Sequence, residues 1–223
     1  MPDVEIKDLN LLVLAFQAFV LLILISYQNL RTFLMSRNEI FLIYFLSFLF
    51  YSFLFLGMIF QSLDFEFANM SKPEIFLAWR QFQIIWIGSI YFAISRVFFE
   101  KKVFSAVLSV FLIFVSYSWF FYGLILSGSK NAIEFTMYGF LYFIWIPLCF
   151  SLGTLFLWYG KKNKLLSPKY LGCGFILLAI TYMAWSPWHL TSIYFIWFSV
   201  FNISLVLLLI GFSLASIEKT KPS

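Results

Sequence analysis

Seven long apolar stretches constrain this chain more than any motif does. Each is long enough to cross a bilayer, because about 20 apolar residues span the hydrocarbon layer as a helix. Only helices and closed barrels satisfy the backbone there, and barrel strands would appear as alternating segments of roughly 10 residues. The sequence therefore predicts an all-α, polytopic membrane protein, with one seven-helix transmembrane domain over residues 1–223. The predicted helices are 9–27, 40–61, 75–98, 103–126, 135–158, 170–186 and 190–217.

The composition excludes an ordinary soluble domain. Hydrophobic residues make up 63% of the chain and charged residues 11%, whereas soluble domains are about a quarter charged. The net charge of +5 does not indicate nucleic-acid binding, because short loops beside anionic lipid headgroups explain it. We therefore expect membrane lipids, and no nucleic acid, as partners.

Basic residues are concentrated in alternate connections between the stretches. Short loops rich in Lys and Arg stay in the cytoplasm, which predicts the N-terminus outside and the C-terminus inside. The leader before the first stretch is acidic, and no Ala-x-Ala site follows, which favours a retained helix over a signal peptide. The connections predicted inside carry Arg31, Arg37, Arg96, Lys101, Lys102, Lys161, Lys162, Lys164, Lys169, Lys219 and Lys221.

Arg80 lies near the start of the third stretch, where a charge is costly. The cost is smaller where the side chain reaches the interface. A guanidinium can hold a carboxylate or phosphate in a bidentate grip. We therefore expect Arg80 to anchor an anionic group near the outer face. The alternatives are an interfacial side chain that reaches outer headgroups, or an ion pair with Glu66, Glu74 or Glu134.

Four further residues complete the predicted ligand site. Gln83 follows Arg80 by one helical turn, and Tyr138 lies at the outer end of the fifth stretch. Trp185 and His189 belong to an aromatic turn before the last stretch and would form walls of an outer pocket. An aromatic belt with a polar cap is the alternative interpretation of this turn.

Polar residues recur at helical spacing in three stretches. Tyrosine hydroxyls need hydrogen-bond partners when buried, and small or polar residues mark contacts between membrane helices. These stripes are therefore predicted to face neighbouring helices or a modest polar cavity, and Pro147 predicts a kink in the fifth helix. The stripes are Tyr44, Ser47 and Tyr51; Gly88, Tyr91 and Ser95; and Tyr138, Tyr142, Trp145 and Cys149.

Several classes of membrane enzyme and pump lack the residues that they need. A single histidine cannot form a His-Glu-x-x-His metal motif, and no stretch holds a pair of acids. The last stretch has no lysine for a retinal Schiff base. Cys149 and Cys173 have no ligand at metal-binding spacing. We therefore expect no catalytic residue, metal or cofactor, although an enzyme acting on lipids stays open.

Three features resemble the seven-helix N-terminal sensor module of bacterial histidine kinases. They are Trp79-Arg80 at the start of the third stretch, the aromatic run Tyr142–Pro147, and the basic run Lys161–Lys164. The resemblance covers the chain from Trp79 to Lys169 and implies the bacterial cytoplasmic (inner) membrane. Those modules continue into a kinase, whereas this sequence ends soon after the seventh stretch. The resemblance therefore implies a partner membrane or cytoplasmic signalling protein.

Together these features predict a stand-alone sensor-like or receptor-like membrane protein. It would bind a small or lipidic ligand near the outer face and signal through its partner. One alternative is a facilitator for an uncharged solute, with a path along Tyr44, Tyr91, Tyr142 and Asn202. The other is a non-catalytic membrane subunit of a larger complex.

Overall fold

The described part of the chain is helical throughout, apart from two short connections. The computed structural model describes residues 6–62, 72–98, 102–126, 136, 138–183 and 194–218. These residues form seven helices, of which the fifth contains a π turn (Phe140–Trp145) near its start. In chain order the helices are α1 (Ile6–Ser36), α2 (Glu39–Ser62), α3 (Lys72–Phe98), α4 (Lys102–Leu126), α5 (the π turn continued by Ile146–Lys162), α6 (Leu166–Met183) and α7 (Tyr194–Glu218).

Six of these helices are long and apolar enough to cross a membrane, which is typical of an integral membrane protein. The helix outside that set is α3, whose polar residues Arg80, Gln81 and Gln83 lower its hydropathy. Every described side chain of α3 between residues 80 and 96 is buried or half-buried. Because neighbouring helices cover most of α3 along this stretch, it can carry polar side chains that a helix facing lipid on all sides could not.

Some of the predicted helix bounds lie closer to those of the structure than others. The predicted second, third and fourth helices begin or end within a few residues of α2, α3 and α4. The predicted end of the first helix is too early, because α1 continues to Ser36. Asn29 and Thr32 permit this extension, since each donates to the carbonyl one turn before it. The start of α6 also precedes its prediction, and residues 184–193 lie outside the described part.

The helices form a closed ring in chain order. α1 packs against α2 and α7, while α3 packs against both α2 and α4. α6 packs against α5 and α7, and α4 reaches the π turn of α5, which closes the ring. The interior is filled by large side chains, including Phe48, Trp86 and Phe175. α4 is the most lipid-exposed of the six apolar helices, with 22% of its apolar window buried.

Two glycines bring the backbones of α5 and α6 into direct contact. A Cβ atom at Gly153 would lie 2.9 Å from the Gly172 carbonyl oxygen. A Cβ atom at Gly172 would lie 2.8 Å from the Gly153 carbonyl oxygen. Neither backbone can move aside as a flexible side chain would. Such a close approach of small residues holds membrane helices together through van der Waals contact.

A π turn accommodates Pro147 in α5. The N–H of Ile146 bonds to the Leu141 oxygen five residues earlier, as in a π-helix. Proline has no N–H, and its ring clashes with the carbonyl four residues before it. The extra residue of the π turn relieves this conflict. It also breaks the predicted stripe of α5, because Tyr142 is 38% exposed while Trp145 is fully buried.

One end of the bundle collects most of the described basic residues and is called the basic end below. There α1 meets α2, α3 meets α4, α5 meets α6, and α7 ends. Glu218 closes this end, since its carboxylate accepts from the backbone N–H groups of Leu166 (2.9 Å) and Ser167 (3.3 Å). The described basic residues at this end are Arg31, Arg37, Arg96, Lys102, Lys161, Lys162, Lys164 and Lys169.

A buried arginine cluster as the candidate functional site

Arg80 lies in the interior of the bundle. Its side chain is 2% exposed, and it is about 24 Å along α3 from Arg96, since an α-helix rises ~1.5 Å per residue. The guanidinium donates to the side-chain oxygen of Gln83, one turn further along the same helix. It is also hydrogen-bonded to the hydroxyl of Tyr182 in α6. The guanidinium therefore points towards other helices, not towards lipid headgroups.

Two tyrosines extend the polar contacts of Arg80 across the bundle. The hydroxyls of Tyr51 in α2 and Tyr182 in α6 share a hydrogen bond of 3.0 Å. Both side chains are buried. The chain of contacts from Gln83 through Arg80 and Tyr182 to Tyr51 thus joins α3, α6 and α2. Buried hydrogen-bonded networks of this kind fix the relative positions of the elements that they connect.

A stack of three aromatic rings lies against this network. The ring of Tyr51 is 4.8 Å from the ring of Trp86 in α3, with 30° between their planes. Trp86 is in turn 4.8 Å from Trp145, the last residue of the π turn. Trp145 also packs edge-on against Tyr182, at 5.4 Å. The group formed by Arg80, Gln83, Tyr51, Tyr182, Trp86 and Trp145 is called the Arg80 cluster below.

Three hydrogen-bond donors of the Arg80 cluster are buried and have no partner among the described residues. They are the amide nitrogen of Gln83 and the indole nitrogens of Trp86 and Trp145. Other buried indoles in this protein do find partners, for example Trp197, which donates to the Thr181 oxygen at 2.8 Å. A buried donor without a partner costs about 1–3 kcal/mol. Such groups in a folded protein call for an explanation, such as a water or ligand that accepts from them.

The chemistry of the Arg80 cluster therefore favours a hydrogen-bond acceptor. One guanidinium, one amide N–H₂ and two indole N–H groups are all donors. The flat rings of Trp86, Trp145 and Tyr51 would pack against an apolar or aromatic body. Carboxylates and phosphates are the acceptors that a guanidinium binds best. The donors and rings of the cluster thus have the chemistry that would suit a small molecule with an acidic head.

The other predicted site residues have different outcomes. Gln83 belongs to the Arg80 cluster, as its spacing suggested. Tyr138 is half-buried just before the π turn and forms no hydrogen bond with the described residues. Trp185 and His189 lie outside the described residues, as do the side chains of the three glutamates considered as ion-pair partners of Arg80, namely Glu66, Glu74 and Glu134.

The polar stripes of α2 and α3 serve mainly as contacts between helices. Tyr44, Ser47 and Tyr51 are all buried. Gly88 admits the side chain of Ile113 from α4, and its carbonyl accepts from Ser109 at 2.6 Å. The other polar residues named in the sequence analysis include Tyr91, Ser95, Tyr142 and Asn202.

The four residues of the alternative solute path lie in separate places. Tyr91 donates to the Leu148 oxygen at 2.8 Å, inside the bundle. Tyr142 donates to the Met183 oxygen and is partly exposed. Asn202 lies between α7 and α1, with its amide 3.3 Å from the side-chain oxygen of Gln17. These contacts give the path no support.

Sequence reasoning missed Tyr182 and Trp86 as site residues. Trp86 follows Gln83 by three residues, just as Gln83 follows Arg80, so helical spacing alone placed all three on adjacent positions of one face. Tyr182 had no such signal. Its contact with Tyr51 joins residues 131 positions apart in the sequence.

Two cavities open at the basic end. The larger, of about 440 Å³, lies among the ends of α2, α3, α5, α6 and α7 and is mainly apolar, with Tyr44, Phe156 and Phe212 in its wall. The smaller, of about 320 Å³, lies between α2, α3 and α4. Among the described residues, no group of three His, Cys, Asp or Glu is placed to hold a metal ion.

Comparisons with known proteins found no relative of this chain. No protein family, no curated protein and no solved structure was found to match the chain. The likeness to the histidine-kinase sensor module therefore rests on the sequence features given above.

Proposed function

We propose that this protein is a receptor-like membrane sensor that binds a small molecule with an acidic head at the Arg80 cluster. The observation that carries the proposal is the set of three buried donors on Gln83, Trp86 and Trp145 that have no partner among the described residues. In the proposed orientation the N-terminus lies outside, α3 crosses the bilayer with the six apolar helices, and the Arg80 cluster lies in the outer half. The membrane is the bacterial cytoplasmic membrane.

In this proposal the ligand's carboxylate or phosphate takes the free donors, and its body lies against the aromatic rings. Such a ligand would connect α3 to the π turn of α5 and, through Tyr182, to α6. It stabilises whichever packing of these helices presents the donors best, because a ligand shifts an equilibrium only by its differential affinity for the two states. Small helix shifts of this kind would reach a partner protein at the basic end.

The larger cavity at the basic end is placed to transmit such a helix shift to a partner protein. Its wall combines residues from α3, α5 and α6, the three helices that the ligand would connect. A shift of these helices would change the shape of the cavity, and a partner that touches this end would sense the change. We propose a partner membrane or cytoplasmic signalling protein at this position.

A thermal-unfolding screen of the purified protein tests the proposal. The panel holds benzoate, succinate, inorganic phosphate and glycerol phosphate, with glucose as a ligand that has no acidic group. A ligand at a hundred times its Kd stabilises the folded state by about 2.7 kcal/mol, which corresponds to a rise in Tm of at least about 5 °C. We expect this rise for an acidic ligand and its loss in Arg80→Ala.

Arg31→Ala is the matched control, because Arg31 is an exposed arginine at the basic end. The rise in Tm should persist in this variant. An equal rise in wild type, Arg80→Ala and Arg31→Ala would place the ligand elsewhere. The absence of any rise across the acidic ligands would contradict the proposal and favour a subunit that acts through a partner chain.

A further inference from the structure

The smaller cavity at the basic end differs from the larger one in having charges of both signs at its mouth. It lies between α2 and α4, with α3 as its floor. Glu39 from α2, Arg96 from α3 and Lys102 from α4 line it. Glu39 and Lys102 are exposed, and Arg96 is half-buried. Among the described residues none of these three side chains forms an ion pair or hydrogen bond with another.

Below these charges the cavity is apolar. Its remaining walls come from all three helices, and the side chains are Ile40, Ile43, Phe92, Val103 and Ala106. The apolar surface continues beyond the cavity along α4, where Val107, Val110 and Phe114 are each more than 60% exposed. The charged mouth lies at helix ends, where α2 and α4 begin and α3 is about to end. This order, from a charged mouth to an apolar surface, matches an amphipathic lipid at the membrane surface, which has a charged head and apolar tails.

We propose that this cavity binds a phospholipid with a primary ammonium head group, such as phosphatidylethanolamine. The phosphate would accept from Arg96 and Lys102, since guanidinium and ammonium groups are the usual donors to phosphate. The head-group ammonium would donate to the carboxylate of Glu39. The acyl chains would run over Val103 and the exposed face of α4. The site is separate from the Arg80 cluster and does not depend on its ligand.

Charge complementarity selects this lipid over others. Two cations alone would favour an anionic lipid such as phosphatidylglycerol, but its glycerol head carries no positive charge to pair with Glu39 at the same mouth. Phosphatidylcholine has the phosphate, but its quaternary ammonium has no N–H to donate. A head group with one phosphate and one primary ammonium matches all three charged residues.

Native mass spectrometry of the delipidated protein tests this assignment. Equal amounts of phosphatidylethanolamine, phosphatidylglycerol and phosphatidylcholine with the same acyl chains compete for the protein. We expect phosphatidylethanolamine to bind about tenfold more tightly than the other two, the change that one charge-assisted hydrogen bond produces. Equal binding of the three lipids, or a preference for phosphatidylglycerol, would overturn the proposal.

Variants separate the two halves of the head-group site. Glu39→Gln should retain phospholipid but lose the preference for phosphatidylethanolamine over phosphatidylcholine. Arg96→Gln with Lys102→Gln should weaken all three phospholipids by about tenfold or more. Arg31→Gln with Lys161→Gln is the matched control, since both are exposed cations at the same end but outside the cavity. The control should bind like wild type, and an equal loss in both double variants would reveal general attraction to basic residues and overturn the site.

Free inorganic phosphate distinguishes the lipid from a soluble anion. We expect millimolar phosphate to leave lipid binding unchanged, because the acyl chains supply much of the affinity. Displacement of the lipid by phosphate would show an anion site and contradict the lipid assignment. Thermal unfolding of each variant confirms that the protein remains folded.

Discussion

Gly172→Leu should disrupt the pairing of α5 and α6 and lower the stability of the protein by about 3 kcal/mol or more. A Cβ atom at Gly172 would already lie 2.8 Å from the Gly153 carbonyl oxygen. The larger side chain must therefore push two helix backbones apart. Because van der Waals contact, and not burial from water, holds membrane helices together, that separation removes most of the attraction along this interface. Thermal unfolding in detergent measures the loss.

Cys173→Leu is the control for this prediction. Cys173 is the next residue of α6 but is exposed, so the same added volume points away from the bundle. Its expected effect is within about 0.5 kcal/mol, as for surface substitutions in general. Similar unfolding temperatures for Gly172→Leu and wild type would show that α5 and α6 do not touch through these glycines.

Trp145→Ala should be the most damaging single truncation in the Arg80 cluster, at about 3–5 kcal/mol. Trp145 is fully buried and touches the rings of Tyr51, Trp86 and Tyr182. Truncation leaves a cavity at the point where α2, α3, α5 and α6 meet. The dispersion contacts of these three neighbouring rings are then lost with no replacement. Thermal unfolding without ligand measures this effect.

Trp145→Phe separates the ring of Trp145 from its N–H. The substitution keeps an aromatic ring in the stack but removes a buried donor that has no partner among the described residues. The desolvation cost of that donor disappears, which offsets part of the lost volume. We therefore expect Trp145→Phe to be far more stable than Trp145→Ala. Equal losses in the two variants would mean that the indole N–H itself holds the structure together, which would contradict its assignment as a donor left for a ligand.

The sequence predicted the helical class well, because apolar length is a local property. The second and fourth predicted stretches match α2 and α4 to within one residue at each end. The predicted end of the first helix was wrong. The side chains of Asn29 and Thr32 donate to backbone carbonyls one turn earlier in α1, which allows the helix to continue. The third predicted span, 75–98, corresponds to α3, and its polar residues keep α3 out of the set of helices apolar enough to cross a membrane.

The site was predictable only where one helix carries it. Arg80 and Gln83 share a helix face, and their spacing was sufficient to pair them. The register of α5 was not predictable, because the π turn inserts a residue between Tyr142 and Trp145 and moves them to different faces. Tyr182 joins the cluster through tertiary packing alone. Long-range pairing of this kind leaves no local pattern in the sequence.

Removal of the unpartnered donors tests the central proposal most directly. The measurement is the rise in Tm that an acidic ligand produces in wild type and in the double variant Trp86→Phe with Trp145→Phe. This variant keeps aromatic rings beside Arg80 but deletes both indole N–H groups. If these groups bind the ligand, the rise should fall by most of its value, while the double variant without ligand remains folded and unfolds in one transition. A full rise in that variant would contradict the assignment of the ligand site to the Arg80 cluster.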